Sequence, residues 1–286
     1  MHRPDTIGEA LEIRRRFQAV PFAGGTDIMV KRRRGADVKP DFPAPVLFLD
    51  QCGELKAIQI TKKQVEIGAG VTFSELMQVD LHPAFREAIE GIGAPAIRNV
   101  ATIGGNICNA SPAADALPFL YAVDARVNLE TTDSKRVLPI YEFITGPGTT
   151  GLERDELVVS IQYKAWEPDL YYYRKVGTRK ANALTKVSFL GCADVEEGRV
   201  SRVAIAFGAV APTVIRPKSV ERAILGSTYN QLHSASKNLL RLCAASLAPI
   251  DDQRSTRSYR SIVSVNLLSR FIQGLLAELS IWAESY

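Results

Sequence analysis

Two pairs of adjacent glycines are the residues best suited to hold a ligand: Gly24-Gly25 within Phe22-Ala23-Gly24-Gly25-Thr26-Asp27-Ile28, and Gly104-Gly105 within the stretch from Arg98 to Pro118. Each follows a short apolar run and has small polar neighbours, Thr26 and Asp27 at the first, Thr102 and Asn106 at the second. Without a Cβ, backbone N–H groups can approach an anion closely, which is how a chain cradles phosphate. Ser111, Pro112 and Asp115 then open a helical pattern through Ala113, Leu117, Leu120 and Tyr121, predicting a helix N-terminus beside the second loop. Two such loops suit a diphosphate better than one. Either pair alone is also what an ordinary strand-to-helix turn contains. Neither has the Rossmann G-x-G-x-x-G spacing or the Lys and Ser/Thr of a Walker loop, so nucleotide binding by those folds is not supported.

Other chemistry finds few residues to carry it. The three histidines, His2, His82 and His233, sit in no nucleophile elbow, no H-E-x-x-H pair and no triad-like context. Cys52, Cys108, Cys192 and Cys243 are too far apart for a C-x-x-C metal site or an evident disulfide framework, and Cys108 reads as a small apolar residue in a turn. No residue is assigned a catalytic role and none a metal. A chain that binds a redox cofactor needs little acid–base chemistry of its own, since the cofactor brings the reactive atoms.

The 286 residues, 46% of them hydrophobic, can bury a sizeable core and ordinarily divide into two domains. A formal charge of +4 is mild, and Lys31-Arg32-Arg33-Arg34 is the dense cluster. It reads as a solvated helix end whose cations complement the macrodipole of a helix beginning near Asp27, with docking to a partner as the alternative and no nucleic-acid role. No N-terminal apolar h-region and no run of about 18 apolar residues is found, so neither secretion nor a membrane span is expected, and the chain is expected to be cytoplasmic.

The elements that must position the loops alternate irregularly, which predicts an α+β fold. Thr6 with Glu9 and Thr72 with Glu75 are capping-box spacings that open helices. Ala19 to Ala23 reads as a strand into the first loop, Leu55 to Thr61 and Gln64 to Ala69 as a hairpin, and Glu156 to Tyr163 as a strand containing Leu157 and Val158. The composition shifts at Trp166-Glu167-Pro168-Asp169, taken as a linker. Beyond it come a strand at Tyr171 to Val176, a basic polar stretch at Thr178 to Asn182, a hairpin of Val187 to Val195 and Arg199 to Val210, and helices at Ser219 to Leu225, Asn230 to Leu247 and Ile262 to Trp282.

Phe22 to Ile28, Ile97-Arg98-Asn99-Val100-Ala101-Thr102-Ile103-Gly104-Gly105-Asn106-Ile107, and Ser111-Pro112-x-x-Asp115 together resemble the FAD-binding subunit of molybdenum hydroxylases, the group of xanthine and carbon monoxide dehydrogenases. Lys175-Val176-Gly177 and Phe207 to Thr213 resemble the C-terminal domain of that subunit. The resemblance implies a two-subdomain FAD-binding domain of the vanillyl-alcohol-oxidase/PCMH type over residues 1–165, divided at about 52/53. A small α+β domain of antiparallel sheet and helices follows over 169–286. It implies FAD held non-covalently by Phe22, Ala23, Gly24, Gly25, Thr26, Asp27, Ile28, Ile92, Thr102, Gly104, Gly105, Asn106, Ser111, Asp115, Leu157, Val158 and Lys175. In that scheme Asp115 takes hydroxyl protons from a ribose or ribityl group, Lys175 reaches the flavin ring, and Ile92 stands where some relatives carry an aromatic. Partner subunits would carry molybdopterin and the [2Fe–2S] clusters, and the flavin would pass electrons to NAD+ or another acceptor. The alternatives are a stand-alone flavin oxidoreductase of the same cofactor-binding superfamily and a non-redox nucleotide-binding assembly protein.

Overall fold

In the computed structural model, which describes residues 1–179 and 182–285, the chain opens with α1 (Ile7–Phe17), β1 (Val20–Phe22), α2 (Ile28–Arg32) and β2 (Val46–Phe48). After a 3-10 turn at Gly53–Lys56 come β3 (Ile58–Ile60) and β4 (Gln64–Gly68). Five short helices follow: α3 (Phe73–Leu76), α4 (Pro83–Glu90), α5 (Pro95–Arg98), α6 (Ile103–Asn109) and α7 (Leu117–Ala122). Then come β5 (Arg126–Glu130), β6 (Lys135–Pro139), α8 (Ile140–Phe143), β7 (Ile144–Gly146), β8 (Thr149–Thr150) and β9 (Leu157–Lys164). The remainder is β10 (Leu170–Val176), β11 (Val187–Glu196), β12 (Arg199–Gly208), α9 (Lys218–Ile224), α10 (Tyr229–Ser246) and α11 (Arg257–Ser285). Of the basic polar stretch Thr178 to Asn182, Lys180 and Ala181 lie outside the described residues.

The elements form two compact units that interleave in sequence. One comprises Met1–Leu81, Ile92–Ser111 and Asp124–Ala165; the other His82–Gly91, Pro112–Val123 and Trp166–Tyr286. Sequence periodicity does not show this interleaving, because the two short inserts, with α4 and α7, are apolar enough to suit either core.

The first unit is built on an antiparallel sheet of order β3-β4-β9-β5-β6. Its side chains alternate with period two. Val65, Ile67, Val127, Leu129, Ile161 and Tyr163 are buried. On the other face Ser160 Oγ donates to Glu66 Oε1 at 2.6 Å, and Asn128 Nδ2 donates to Ser160 Oγ at 2.7 Å. The expected hairpin forms, but its first residues, Leu55 and Lys56, belong instead to the 3-10 turn, where Leu55 is buried. β1 and β2 pair in parallel, Phe22 against Phe48, so the first glycine loop leaves the end of a strand fixed on one side.

The second glycine pair differs from expectation. Gly104 and Gly105 lie in the first turn of α6, with Thr102 as N-cap accepting from the Gly105 N–H. Its hydroxyl satisfies one of the donors a helix start leaves unpaired, and losing such a cap costs about 1 kcal/mol. The helix expected from Ser111, Pro112 and Asp115 begins only at Leu117, with Ala116 as N-cap.

In the second unit the antiparallel sheet β10-β11-β12 packs against α11 and α9. Phe189, Phe207, Ile205, Leu232, Leu239, Leu268, Phe271 and Leu275 make its core. α11 is, by length and composition alone, apolar enough over Arg257–Trp282 to cross a membrane, which the sequence reading did not expect. Its apolarity has a packing reason: Leu267, Leu268, Phe271, Ile272, Leu275 and Leu279 are buried. Phe271, 1% exposed, lies with its ring 6.1 Å from that of Phe189. Phe271→Ala is expected to lower the unfolding free energy by about 3–5 kcal/mol through the cavity it leaves, measured by urea denaturation.

Candidate functional site

The first glycine loop is positioned by close approach. A Cβ on Gly24 would overlap the Val100 carbonyl and lie 2.9 Å from the Ala101 Cα, so the loop reaches the segment leading into α6 only because position 24 has no side chain. Gly25 adopts φ +74°, and a Cβ there would stand 2.5 Å from the Phe22 ring. Phe22 therefore supports the loop from beneath.

The resulting backbone is rich in available donors. Among the described residues, the N–H groups of Gly24, Gly25, Thr26, Asp27 and Ile28 donate to no protein acceptor. Successive N–H groups of this kind around a left-handed residue form an anion-binding concavity. The second pair is arranged otherwise: the Gly104 N–H donates to Ala69 O at 3.0 Å and the Gly105 N–H to Thr102 Oγ1 at 3.1 Å. These two N–H groups, expected to face a phosphate, are engaged within the fold. Gly104 is a packing residue, since a Cβ would lie 2.6 Å from Ala69 Cβ and O. Its lack of a side chain lets α6 sit against the exit of β4.

The two segments face one cavity of about 550 Å³. From the expected set, Ala23, Gly24, Gly25, Thr26, Asp27, Ile28, Ile92, Thr102, Gly105 and Asn106 line it. Phe73, Ile92, Ile97 and Ala101 give it an apolar wall suited to a planar ring. Asn106 Oδ1 is buried there and accepts no hydrogen bond. A buried polar atom without a partner costs free energy, so this acceptor points to a donor that is not part of the chain. Sequence reasoning missed Lys31, Arg32 and Asn109, which also line the cavity. The i, i+3 and i, i+4 spacing of Ile28, Lys31 and Arg32 was the signal that could have found the first two.

Other expected residues serve elsewhere. Leu157 and Val158 are 2% and 7% exposed, in the sheet of the first unit, and Ser111 ends a segment of that unit without lining the cavity. Asp115 and Lys175 belong to the second unit and are paired there: Lys175 Nζ lies 2.6 Å from Asp115 Oδ2 and donates to Gly91 O at 2.8 Å. Thr185 Oγ1 donates to Asp115 Oδ1. Burial raises the Asp115 carboxyl, while Lys175 and Thr185 pull it back. The hydroxyl of Tyr173, pushed well above its ordinary value by burial, with the Asp115 charge adding to it, makes no hydrogen bond. An ammonium has three donors, and two of those on Lys175 are taken.

Residues 1–163 match the model of a FAD binding domain in molybdopterin dehydrogenase, and residues 171–275 that of a CO dehydrogenase flavoprotein C-terminal domain. The chain is 30% identical over 273 residues to the xanthine dehydrogenase FAD-binding subunit of Escherichia coli O157:H7, covering 91% of this chain and 89% of that protein. It is 26% identical over 289 residues to the carbon monoxide dehydrogenase medium chain of Hydrogenophaga pseudoflava, covering 96% of each. Among solved structures, the carbon monoxide dehydrogenase from H. pseudoflava that lacks the Mo-pyranopterin moiety matches with a TM-score of 0.84 at 26% identity, covering 95% of both chains.

Two substitutions probe this geometry. Gly24→Ala should push the first loop away from Val100 and reduce occupancy of the cavity by at least tenfold, read as the ligand copurifying per chain, with the second unit unaffected. Lys175→Met leaves the Asp115 carboxylate buried without its cation and should cost about 3–5 kcal/mol near neutral pH. Its folded-state carboxyl then titrates still higher, so the folded form binds the proton more tightly than the unfolded chain. The loss should shrink as pH falls through that raised value and be fullest above it, as thermal melts at acid and alkaline pH would show.

Proposed function

Because the chain belongs to the family of FAD-binding subunits of molybdenum hydroxylases, we propose that it is the electron-transferring flavoprotein of a xanthine dehydrogenase-like complex, passing electrons to NAD+ or another acceptor. The chain binds FAD, which supplies the capacity to take up and release electrons. The observation that carries the assignment of its site is the meeting, on one cavity of the first unit, of five backbone N–H groups without acceptors and the unpaired Asn106 Oδ1. Those groups fit a ligand with a diphosphate and hydroxyl donors.

On this reading Ala23, Gly24, Gly25, Thr26, Asp27 and Ile28 hold the diphosphate. The Thr26 hydroxyl adds a donor, Asn106 accepts from a ligand hydroxyl, and Ile92 packs on a ring. Phe22 and Gly104 fix the backbone behind them, as Leu157 and Val158 fix the sheet. Thr102 contributes through its cap on α6 more than by direct contact. Lys175 uses its third donor on the flavin ring, and Asp115, fixed by Thr185, orients that ammonium. Ser111 remains a candidate from the motif alone. The domains are taken as 1–165 and 169–286, a division supported by the spans 1–163 and 171–275 matched in other proteins. Partner chains with the molybdenum centre and the [2Fe–2S] clusters complete a cytoplasmic complex. Xanthine is favoured as its substrate by the similarity to the E. coli subunit over 91% of this chain.

Purification of the complex through a tag on this chain tests the proposal. Heat-released FAD near one per chain and NAD+ reduction driven by xanthine are expected. A complex that holds FAD but is reduced only by carbon monoxide or an aldehyde would refute the xanthine assignment, and one that reduces a dye but not NAD+ would show that the acceptor is not NAD+.

A further inference from the structure

The basic run after the first glycine loop is divided by the fold. α2 has no buried residue, so the core does not explain why these five residues are helical, and a helix this short is marginal alone. One face of it, Ile28, Lys31 and Arg32, lines the cavity, while Met29 and Val30 are exposed and do not. Lys31 Nζ donates to Asn109 Oδ1 at 2.5 Å, and Asn109 lines the cavity as well. Arg32 is half-buried and, among the described residues, makes no salt bridge and no side-chain hydrogen bond. Its neighbour Arg34 pairs with Asp41 and Arg33 is exposed, so those two are the solvated helix end that the sequence suggests.

The charge on the cavity wall is then uneven. Asp27 is its one acidic residue among those described, against the two cations Lys31 and Arg32, which leaves a net of +1. Asp41 is near enough to feel the Arg32 charge but is paired with Arg34, so a further anion at the cavity is favourable to both Lys31 and Arg32. The unpaired N–H groups of residues 24–28 open on the same cavity, and a dianionic diphosphate there offers both hydrogen-bond acceptors and the missing charge.

We propose that Lys31, held by Asn109, and Arg32 are the charge partners of the cofactor diphosphate and set the salt-sensitive part of the affinity for FAD. The proposal rests on the assignment of the diphosphate to this cavity. Lys31 and Arg32 act on the ligand directly, and Asn109 is a positioning residue for Lys31.

The test is titration of the flavin-free full chain with FAD by fluorescence quenching, at about 50 and about 500 mM salt, where screening differs severalfold in range. Lys31→Met and Arg32→Met should each raise Kd by about tenfold or more at low salt, the scale of a charge-assisted hydrogen bond. The double variant should lose most of the salt dependence. Asn109→Leu should weaken binding less than Lys31→Met and add nothing to it in the double variant, whereas a purely structural role would be additive. Arg33→Met should leave Kd unchanged. Melting of the flavin-free variants should match the parent, separating loss of a contact from loss of the fold. A double variant with the parent's Kd and salt dependence overturns the proposal while leaving the site assignment intact. A Gly24→Ala chain that takes up FAD as tightly as the parent overturns the site assignment itself.

Discussion

The cavity depends on a missing side chain. Gly24 packs its Cα against Val100 and Ala101, where any Cβ would overlap the Val100 carbonyl. That approach closes the distance between a loop at the end of β1 and the segment before α6, which are some 75 residues apart in sequence. Gly104 does the same on the other side, letting α6 lie on Ala69. Both constraints are steric, and no favourable interaction elsewhere could replace them. The donors, the apolar wall and the cations follow from the two backbones being held at this spacing.

The paired glycines therefore divide their work. In each pair the first glycine packs against neighbouring backbone, while Gly24, Gly25 and Gly105 border the cavity, so the similarity of the two motifs reflects a shared structural task more than a shared phosphate contact. In the first loop the N–H groups are left for a ligand; in the second the fold uses them, at Ala69 O and at the Thr102 hydroxyl. What α6 offers instead is a side chain, Asn106, whose buried carbonyl oxygen has no partner. Positive charge comes from α2, a helix with no share in the core.

The second unit solves a different electrostatic problem. It buries a carboxylate and an ammonium together, with side-chain exposures of 8% and 14%, and satisfies the carboxylate further with a threonine hydroxyl. Taking both ions out of water costs several kcal/mol, so such a pair is weak evidence for stability and better evidence for a position that must be fixed.

The sequence by itself determined the family, the FAD, the α+β class and most strands and late helices. These rest on local patterns: period-two burial in β5, capping spacings at Thr6 and Thr72, and motif order along the chain. It also singled out Ala23 to Ile28, Thr102, Gly105 and Asn106, which border the cavity on the two glycine segments, but not Asn109 beside them. Only the tertiary structure decided that α4 and α7 join the second unit, that Gly104 and Gly105 start a helix, and that Asp115 pairs with Lys175 across 60 residues of chain. It alone separated Lys31 and Arg32 from Arg33 and Arg34. The physical reason is common to all of these. A residue's type and spacing fix what it can bond to, but which partner it meets depends on non-local approach, and that is set by where the chain can pack without a side chain in the way.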